Sequence, residues 1–180
     1  EYVSGSIDDF CTLMNLRAKE LGCVNSHFTN PYGKHDENHY SCAYDLYLIT
    51  KEAMKYDAFR EIVSKTSYTL APSNKHPADD RILYSTNDLI KPKSSYYYEY
   101  AIGIKTGYTS QAKECLISSA VKDNMTLYAI ILGDTKSSSG YSYRYSDAKK
   151  LFDFGFNNYL FRTIKSKDSI AKTIDITGAT

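Results

Sequence analysis

The 180-residue chain carries 22 basic and 21 acidic side chains, a formal net charge of +1, and is 42% hydrophobic and 14% aromatic. That length and apolar content suffice for a packed core and exclude a disordered chain, while the balanced charge excludes a global field for nucleic acid or an anionic membrane surface. No run of about 18 apolar residues marks a membrane span, no signal-like stretch marks a leader, and the first residue is Glu1, so a soluble piece of something longer is expected.

In chain order, Ser6 can cap a helix that opens with Asp8 and Asp9, sets Phe10, Leu13, Met14, Ala18 and Leu21 on one face, and ends at Gly22. Asn25, Asn30, Pro31, Gly33 and Asp36 then break any periodicity between Cys23 and Tyr40, which predicts a long loop. Ser41 caps a second predicted helix with Cys42, Leu46, Ile49, Ala53 and Tyr56 at helical spacing, and Asp57 caps a short third one carrying Phe59, Ile62 and Val63. From Tyr68 to Lys93, Pro72, Pro77 and Pro92 among Asn and Asp residues predict turns and irregular strands without a domain boundary.

Tyr96, Tyr97, Tyr98 and Tyr100 read as an amphipathic edge strand. Tyr100 to Lys105, Glu114 to Val121 and Thr126 to Leu132 are rich in β-formers, and Lys122, Asp123 and Asn124 supply a hairpin turn between the last two. A final helix is predicted from Tyr143 to Tyr159 with Ala148, Leu151, Phe152, Gly155 and Tyr159 facing inward, and Ser169 to Ile176 reads as a strand leaving the domain. Helices, then an antiparallel sheet, then a covering helix make an α+β arrangement of mixed layers. Cys11, Cys23, Cys42 and Cys115 lack CxxC spacing, and His27, His35, His39 and His76 are scattered, so four reduced, mostly buried thiols are expected, with no metal and no cofactor.

The segment with chemical content is Gly103-Ile104-Lys105-Thr106-Gly107-Tyr108-Thr109. A lysine and a threonine hydroxyl at a strand end offer a cation and a donor to a carboxylate, and glycine lets a ligand backbone approach; an ordinary strand-end turn fits the same residues. Context separates the two. Leu13-Met14-Asn15, Leu21 to Phe28, Tyr40 to Asp45, Asn87 to Leu89, Gly103 to Thr109 and Ala148 to Phe156 follow one another as an ordered set. Together they resemble the C-terminal half of the catalytic domain of serine-type D-alanyl-D-alanine carboxypeptidases, the low-molecular-weight penicillin-binding proteins of the peptidase S11 type.

The resemblance implies a β-lactamase/transpeptidase-like fold, an antiparallel sheet flanked by helices, incomplete in this chain. Residues 1–164 would be the C-terminal part of the catalytic domain and 165–180 the start of a following β-rich domain or linker. The nucleophilic serine of an S-x-x-K motif and the assisting S-x-N motif should lie upstream of Glu1. By position, the resemblance gives Lys105 the role of supplying positive charge and Thr106 that of binding the terminal carboxylate through its hydroxyl. Gly107 belongs to the same motif, and Tyr108 lends its backbone N–H to the oxyanion hole. Some members carry histidine at the position of Tyr108, which leaves open a role of this side chain in substrate preference. Arg144 stands where such carboxypeptidases place an arginine that helps hold the substrate carboxylate, and a solvated arginine at a helix start fits the sequence equally.

Three formal matches are set aside. Ser169-Ile170-Ala171-Lys172 fits S-x-x-K but follows the Lys-Thr-Gly segment on a predicted strand; Ser85-Thr86-Asn87 fits S-x-N but falls on a structural segment; Ser4-Gly5-Ser6 lacks the asparagine. The implied partners are a peptidoglycan stem peptide ending in D-Ala-D-Ala, β-lactam antibiotics and the missing N-terminal half of the domain, with no nucleic acid and with membrane contact only through segments outside this chain. The implied location is extracytoplasmic, at the outer face of the bacterial membrane or the cell wall. The intact protein would be a hydrolase acting through an acyl-serine, and the 180 residues alone inactive. A non-catalytic peptidoglycan- or partner-binding fragment of the same fold and a serine β-lactamase are the alternatives.

Overall fold

The computed structural model describes residues 2–75, 81–162 and 164. Helix α1 (Ile7–Glu20) begins at Ser6, whose hydroxyl accepts from the Asp9 N–H at 3.0 Å, and it carries Asp8 and Asp9 at its positive end and Arg17 and Lys19 at its negative end. Only Cys11 and Ala18 of this helix are buried; Leu13 is 47% exposed. Its apolar side faces α2 (Ala43–Ala53) across an open groove of about 440 Å³ lined by Phe10, Leu13, Met14, Phe28, Leu46 and Ile49. An ion pair from Arg17 to Glu52 at 2.9 Å ties the two helices at one end.

The predicted loop between them is ordered from within. His27 and Tyr40 form an antiparallel bridge, and the fully buried Asp45 carboxylate accepts from the Asn25 N–H at 2.7 Å and the Ser26 hydroxyl at 2.8 Å. Burial pushes the Asp45 carboxyl up, but donors on Ser26, Asn25, Cys42 and Val24 outweigh it and hold it below the usual carboxylate range. Ser41 does not cap α2 as expected: its hydroxyl is engaged with Ser26 at 2.7 Å, and the helix starts after Cys42 with no side-chain cap. Asp57 likewise is the first residue of α3 (Asp57–Ser64) rather than its cap, and pairs with Arg60 one turn on.

Two short strands, β1 (Ser67–Leu70) and β2 (Arg81–Tyr84), pair antiparallel with Ser67 opposite Tyr84. A single 3-10 turn at Asp88–Ile90, capped by Asn87, follows. The tyrosine run is not the expected edge strand: residues 95–100 are turns and irregular chain. Tyr98 N–H reaches the Leu89 carbonyl at 2.9 Å, and the rings of Tyr96, Tyr98 and Tyr100 are drawn onto the core, Tyr98 stacking on Phe152. Burial of these faces outweighs the β propensity of tyrosine.

The main sheet is antiparallel in the order β3 (Ala101–Thr109), β4 (Lys113–Lys122), β5 (Met125–Asp134). Asp123 and Asn124, at φ +48° and +64°, close the tight turn between β4 and β5. Strand β3 runs four residues past the expected Lys105, because the ladder to β4 continues through Gly107 opposite Cys115 and Thr109 opposite Lys113. Lys105, Thr106 and Gly107 therefore lie within a strand rather than at its end.

Helix α4 (Tyr143–Asn158) lies on β4 and β5, burying Tyr145, Ala148, Phe152 and Gly155. These steps of three and four residues trace one stripe against Leu116, Ala120 and Ala129. Leu151 is exposed, contrary to expectation, since one residue away from Phe152 turns a side chain by about 100°, and Tyr159 lies past the last helical residue. The four cysteines are free, Cys11 and Cys23 buried, Cys42 and Cys115 half-buried. The predicted strand at 169–176, the segment 165–180 and the Ser169 to Lys172 match lie outside the described residues, as does His76.

Candidate active site

Strand alternation separates Lys105 and Thr106 onto opposite sides of β3. Lys105 is exposed, with its ammonium donating to the Thr106 carbonyl at 2.5 Å. Thr106 shares the α4 side with its register partner Leu116, is only 8% exposed, and its hydroxyl is paired with that of Thr86 at 2.5 Å. Among the described strands β3 has one neighbour, β4, so its other edge is free of strand pairing.

The two glycines of β3 answer to different demands. A Cβ at Gly103 would stand 2.7 Å from the Val63 carbonyl oxygen, so close packing of α3 requires glycine there. At Gly107 a Cβ would meet only the Cys115 Cβ at 3.6 Å, an ordinary contact. Nothing inside the protein requires Gly107 to lack a side chain, which directs attention to the space outside the strand.

Arg144, at the start of α4, reaches back over the end of β3. Its Nη1 donates to the Gly107 carbonyl at 3.2 Å and the Cys115 carbonyl at 3.3 Å, and its Nη2 donates to the Tyr145 hydroxyl at 3.2 Å. The guanidinium also lies 4.8 Å from the centre of the Tyr145 ring. The Arg144 side chain is 12% exposed, so it is not a solvated helix-start arginine. Tyr145 in turn donates to the Thr86 carbonyl at 2.9 Å, which links Arg144 to the Thr86–Thr106 hydroxyl pair.

Beneath Arg144 sits a carboxylate that sequence reasoning did not single out. Glu114 of β4 is 3% exposed, accepts from the Ser142 hydroxyl, and lies 3.2 Å from Lys136 and 3.6 Å from Arg144. Its signal was one of parity: 114 falls on the same face of β4 as Leu116, Ser118 and Ala120, all buried, so an acid there had to be paired. Tyr108, next along β3, is exposed, its side chain pointing to solvent. The structure thus brings together Lys105, Thr106, Gly107 and Tyr108 on one strand and sets Arg144 against that strand.

Comparison with known proteins agrees in kind. Residues 1–136 match the profile of peptidase family S11, D-alanyl-D-alanine carboxypeptidase. A D-alanyl-D-alanine carboxypeptidase of Bacillus subtilis is 37% identical over 174 residues, covering 96% of this chain and 41% of that protein. The solved D-alanyl-D-alanine carboxypeptidase of Mycobacterium tuberculosis superposes with a TM-score of 0.74 at 27% identity, covering 94% of this chain and 60% of the other. A Streptomyces DD-transpeptidase does so with a TM-score of 0.70 at 32% identity, covering 83% and 54%. The chain spans roughly half the length of these relatives, and its sheet and helices are the α+β layers of the β-lactamase-like fold.

Proposed function

The chain belongs to the D-alanyl-D-alanine carboxypeptidase family, and from that premise we propose that it forms the substrate-holding wall of an acyl-serine cleft whose nucleophile lies outside these 180 residues. The intact protein removes the terminal D-alanine from peptidoglycan stem peptides and is acylated by β-lactams. The serine oxygen bonds to the carbonyl carbon of the penultimate D-alanine, the C–N bond to the last one breaks with a proton passing to its nitrogen, and water cleaves the ester.

In this reading Lys105 supplies positive charge beside the bound peptide, the Thr106 hydroxyl turns from Thr86 to the terminal carboxylate, and the Tyr108 N–H stabilises the oxyanion. Arg144 adds its charge to carboxylate recognition, and Gly107 leaves the strand edge clear for the substrate backbone. One observation carries the reading: the Lys-Thr-Gly motif lies on an edge strand of the sheet with Lys105 exposed, and the Arg144 guanidinium is fastened to the Gly107 carbonyl of that strand at 3.2 Å.

The proposal includes a division at 164, with 165–180 opening a following segment, and a place at the outer face of the bacterial membrane or in the cell wall. Among the described residues no helix is long and apolar enough to cross a membrane.

The test is covalent labelling by fluorescent penicillin, followed on a denaturing gel, of the protein that carries this chain together with its upstream segment. A stable label, and release of D-alanine from a diacyl-D-Ala-D-Ala peptide, are expected; the 180 residues alone should remain unlabelled. Rapid loss of the label with turnover of the drug would make it a β-lactamase, and no label at all a non-catalytic module.

A further inference from the structure

Beyond the charge it lends to carboxylate recognition, Arg144 has few hydrogen-bond donors left for a ligand. Of its five N–H donors, two on Nη1 serve the Gly107 and Cys115 carbonyls, one on Nη2 serves the Tyr145 hydroxyl, and the remaining side of Nη2 faces Glu114 at 3.6 Å. Nε is buried without a partner. A guanidinium engaged in this way acts first on the protein that holds it.

What it holds is the peptide unit ahead of Tyr108. The Gly107–Tyr108 peptide is trans, so its carbonyl and its N–H point to opposite sides of the strand. The two directions are the edges of β3, so the Arg144 bond to the Gly107 oxygen from the α4 face adds to the ladder with β4 in setting where the Tyr108 N–H points. Glu114 is the only carboxylate within ion-pair distance of Arg144 among the described residues, and it joins three segments: β4 through its own backbone, the stretch after β5 through Lys136, and the start of α4 through Ser142. Without it the Arg144 guanidinium, 12% exposed, would keep no counter-charge within ion-pair distance among the described residues.

We infer that Glu114 is a positioning residue: it holds Arg144 on the Gly107 carbonyl and thereby aims the Tyr108 N–H at the developing oxyanion. This rests on the cleft described above. The role predicts an effect on the chemical step rather than on binding, because an oxyanion donor acts on charge that appears only in the transition state.

The experiment follows penicillin acylation in the protein carrying its upstream segment, separating the acylation rate constant from the affinity of the preceding complex. Glu114→Gln keeps the volume and a bond to Ser142 but removes the charge. It should slow acylation about 10-fold, part of the ~10²–10³ that a whole oxyanion donor contributes, with affinity changed less than about 2-fold. In an Arg144→Gln background the same change should have no further effect on the rate, and Glu114→Asp should recover part of it. Equal, additive losses in both backgrounds, or a loss confined to affinity, would overturn the inference. A second readout needs no turnover: the amide resonance of Tyr108 in ¹⁵N-labelled protein should move in Glu114→Gln and Arg144→Gln alike, and an unmoved resonance overturns the inference. Absence of acylation in the unmodified protein would sink the proposed function instead, leaving the amide readout to decide the role of Glu114.

Discussion

The sheet with α4 and the α1–α2 pair are built on opposite principles. In the first, Leu116, Ala120, Ala129, Ala148 and Phe152 are all at most 2% exposed and close on one another. In the second, the apolar side chains of α1 and α2 line an open groove, and the buried members of α2 are Asp45 and Thr50. The first region is held by area removed from water, the second by hydrogen bonds to a buried acid. The residues proposed to face the substrate belong to the first: a strand proposed to present an amide accurately sits on the layer that packs to completion.

The contrast is tested hardest at Phe152. Phe152→Ala removes a ring stacked on Tyr98 at the centre of the closed layer and should cost about 3–5 kcal/mol by urea unfolding. A loss near 1 kcal/mol would mean this layer is no better packed than the helix pair.

At the other pole stands Asp45. Asp45→Asn replaces the acceptor of the Asn25 and Ser26 donors with a group that also donates, at a cost of about 2–3 kcal/mol. The pH dependence has a definite sign. A carboxyl held below its unfolded value contributes stability in full above the unfolded pKa and loses it as pH falls through the folded one. The melting temperature of the unmodified chain should therefore fall from roughly pH 5 downward, and its advantage over Asp45→Asn should shrink along the way. An advantage that stayed constant to pH 3 would show that the loop is held by something other than this charge.

The two glycines of β3 sharpen the comparison inside one strand. Gly103→Ala drives a methyl against the Val63 carbonyl and should cost about 1–3 kcal/mol. Gly107→Ala meets only an ordinary contact at 3.6 Å and should change stability by about 0.5 kcal/mol or less, while abolishing penicillin labelling of the protein with its upstream segment. Thermal melts beside the labelling assay separate the outcomes. A Gly107→Ala chain that melts early would make this glycine structural and weaken the case for a ligand on that edge.

Much of this was legible along the chain. The α1 cap at Ser6, the Asp123-Asn124 turn and the three long strands each follow from local chemistry, whereas the Lys-Thr-Gly segment stood out through the family resemblance and lies inside β3 rather than at a strand end. What escaped depends on contacts distant in sequence. Ser41 had the right chemistry for a cap and was claimed instead by Ser26, and the tyrosine run had β propensity but lost its strand to packing against Phe152 and Phe156. Leu151 matched the helical period within one residue, too coarse to decide which of two neighbours faces the sheet. Glu114 was hidden because its partners, Lys136, Ser142 and Arg144, lie 22 to 30 positions away and no short motif joins them; only its parity on β4 marked it.

The smallest expected effect of truncating an apolar side chain is at Leu13. It is as apolar as Leu116 and lies on the predicted inner face of α1, yet it is 47% exposed at the groove. Truncation removes few contacts and opens no enclosed cavity, so Leu13→Ala should cost under about 1 kcal/mol, mostly in area. The same change made in the protein with its upstream segment is the informative twin. A cost there approaching that of Phe152→Ala would mean that further chain closes the groove, and that the open half of the comparison belongs to the 180 residues alone. Equal small costs in both would mean that α1 and α2 keep an apolar face to solvent, with Asp45 and the Arg17–Glu52 pair as their main fastenings.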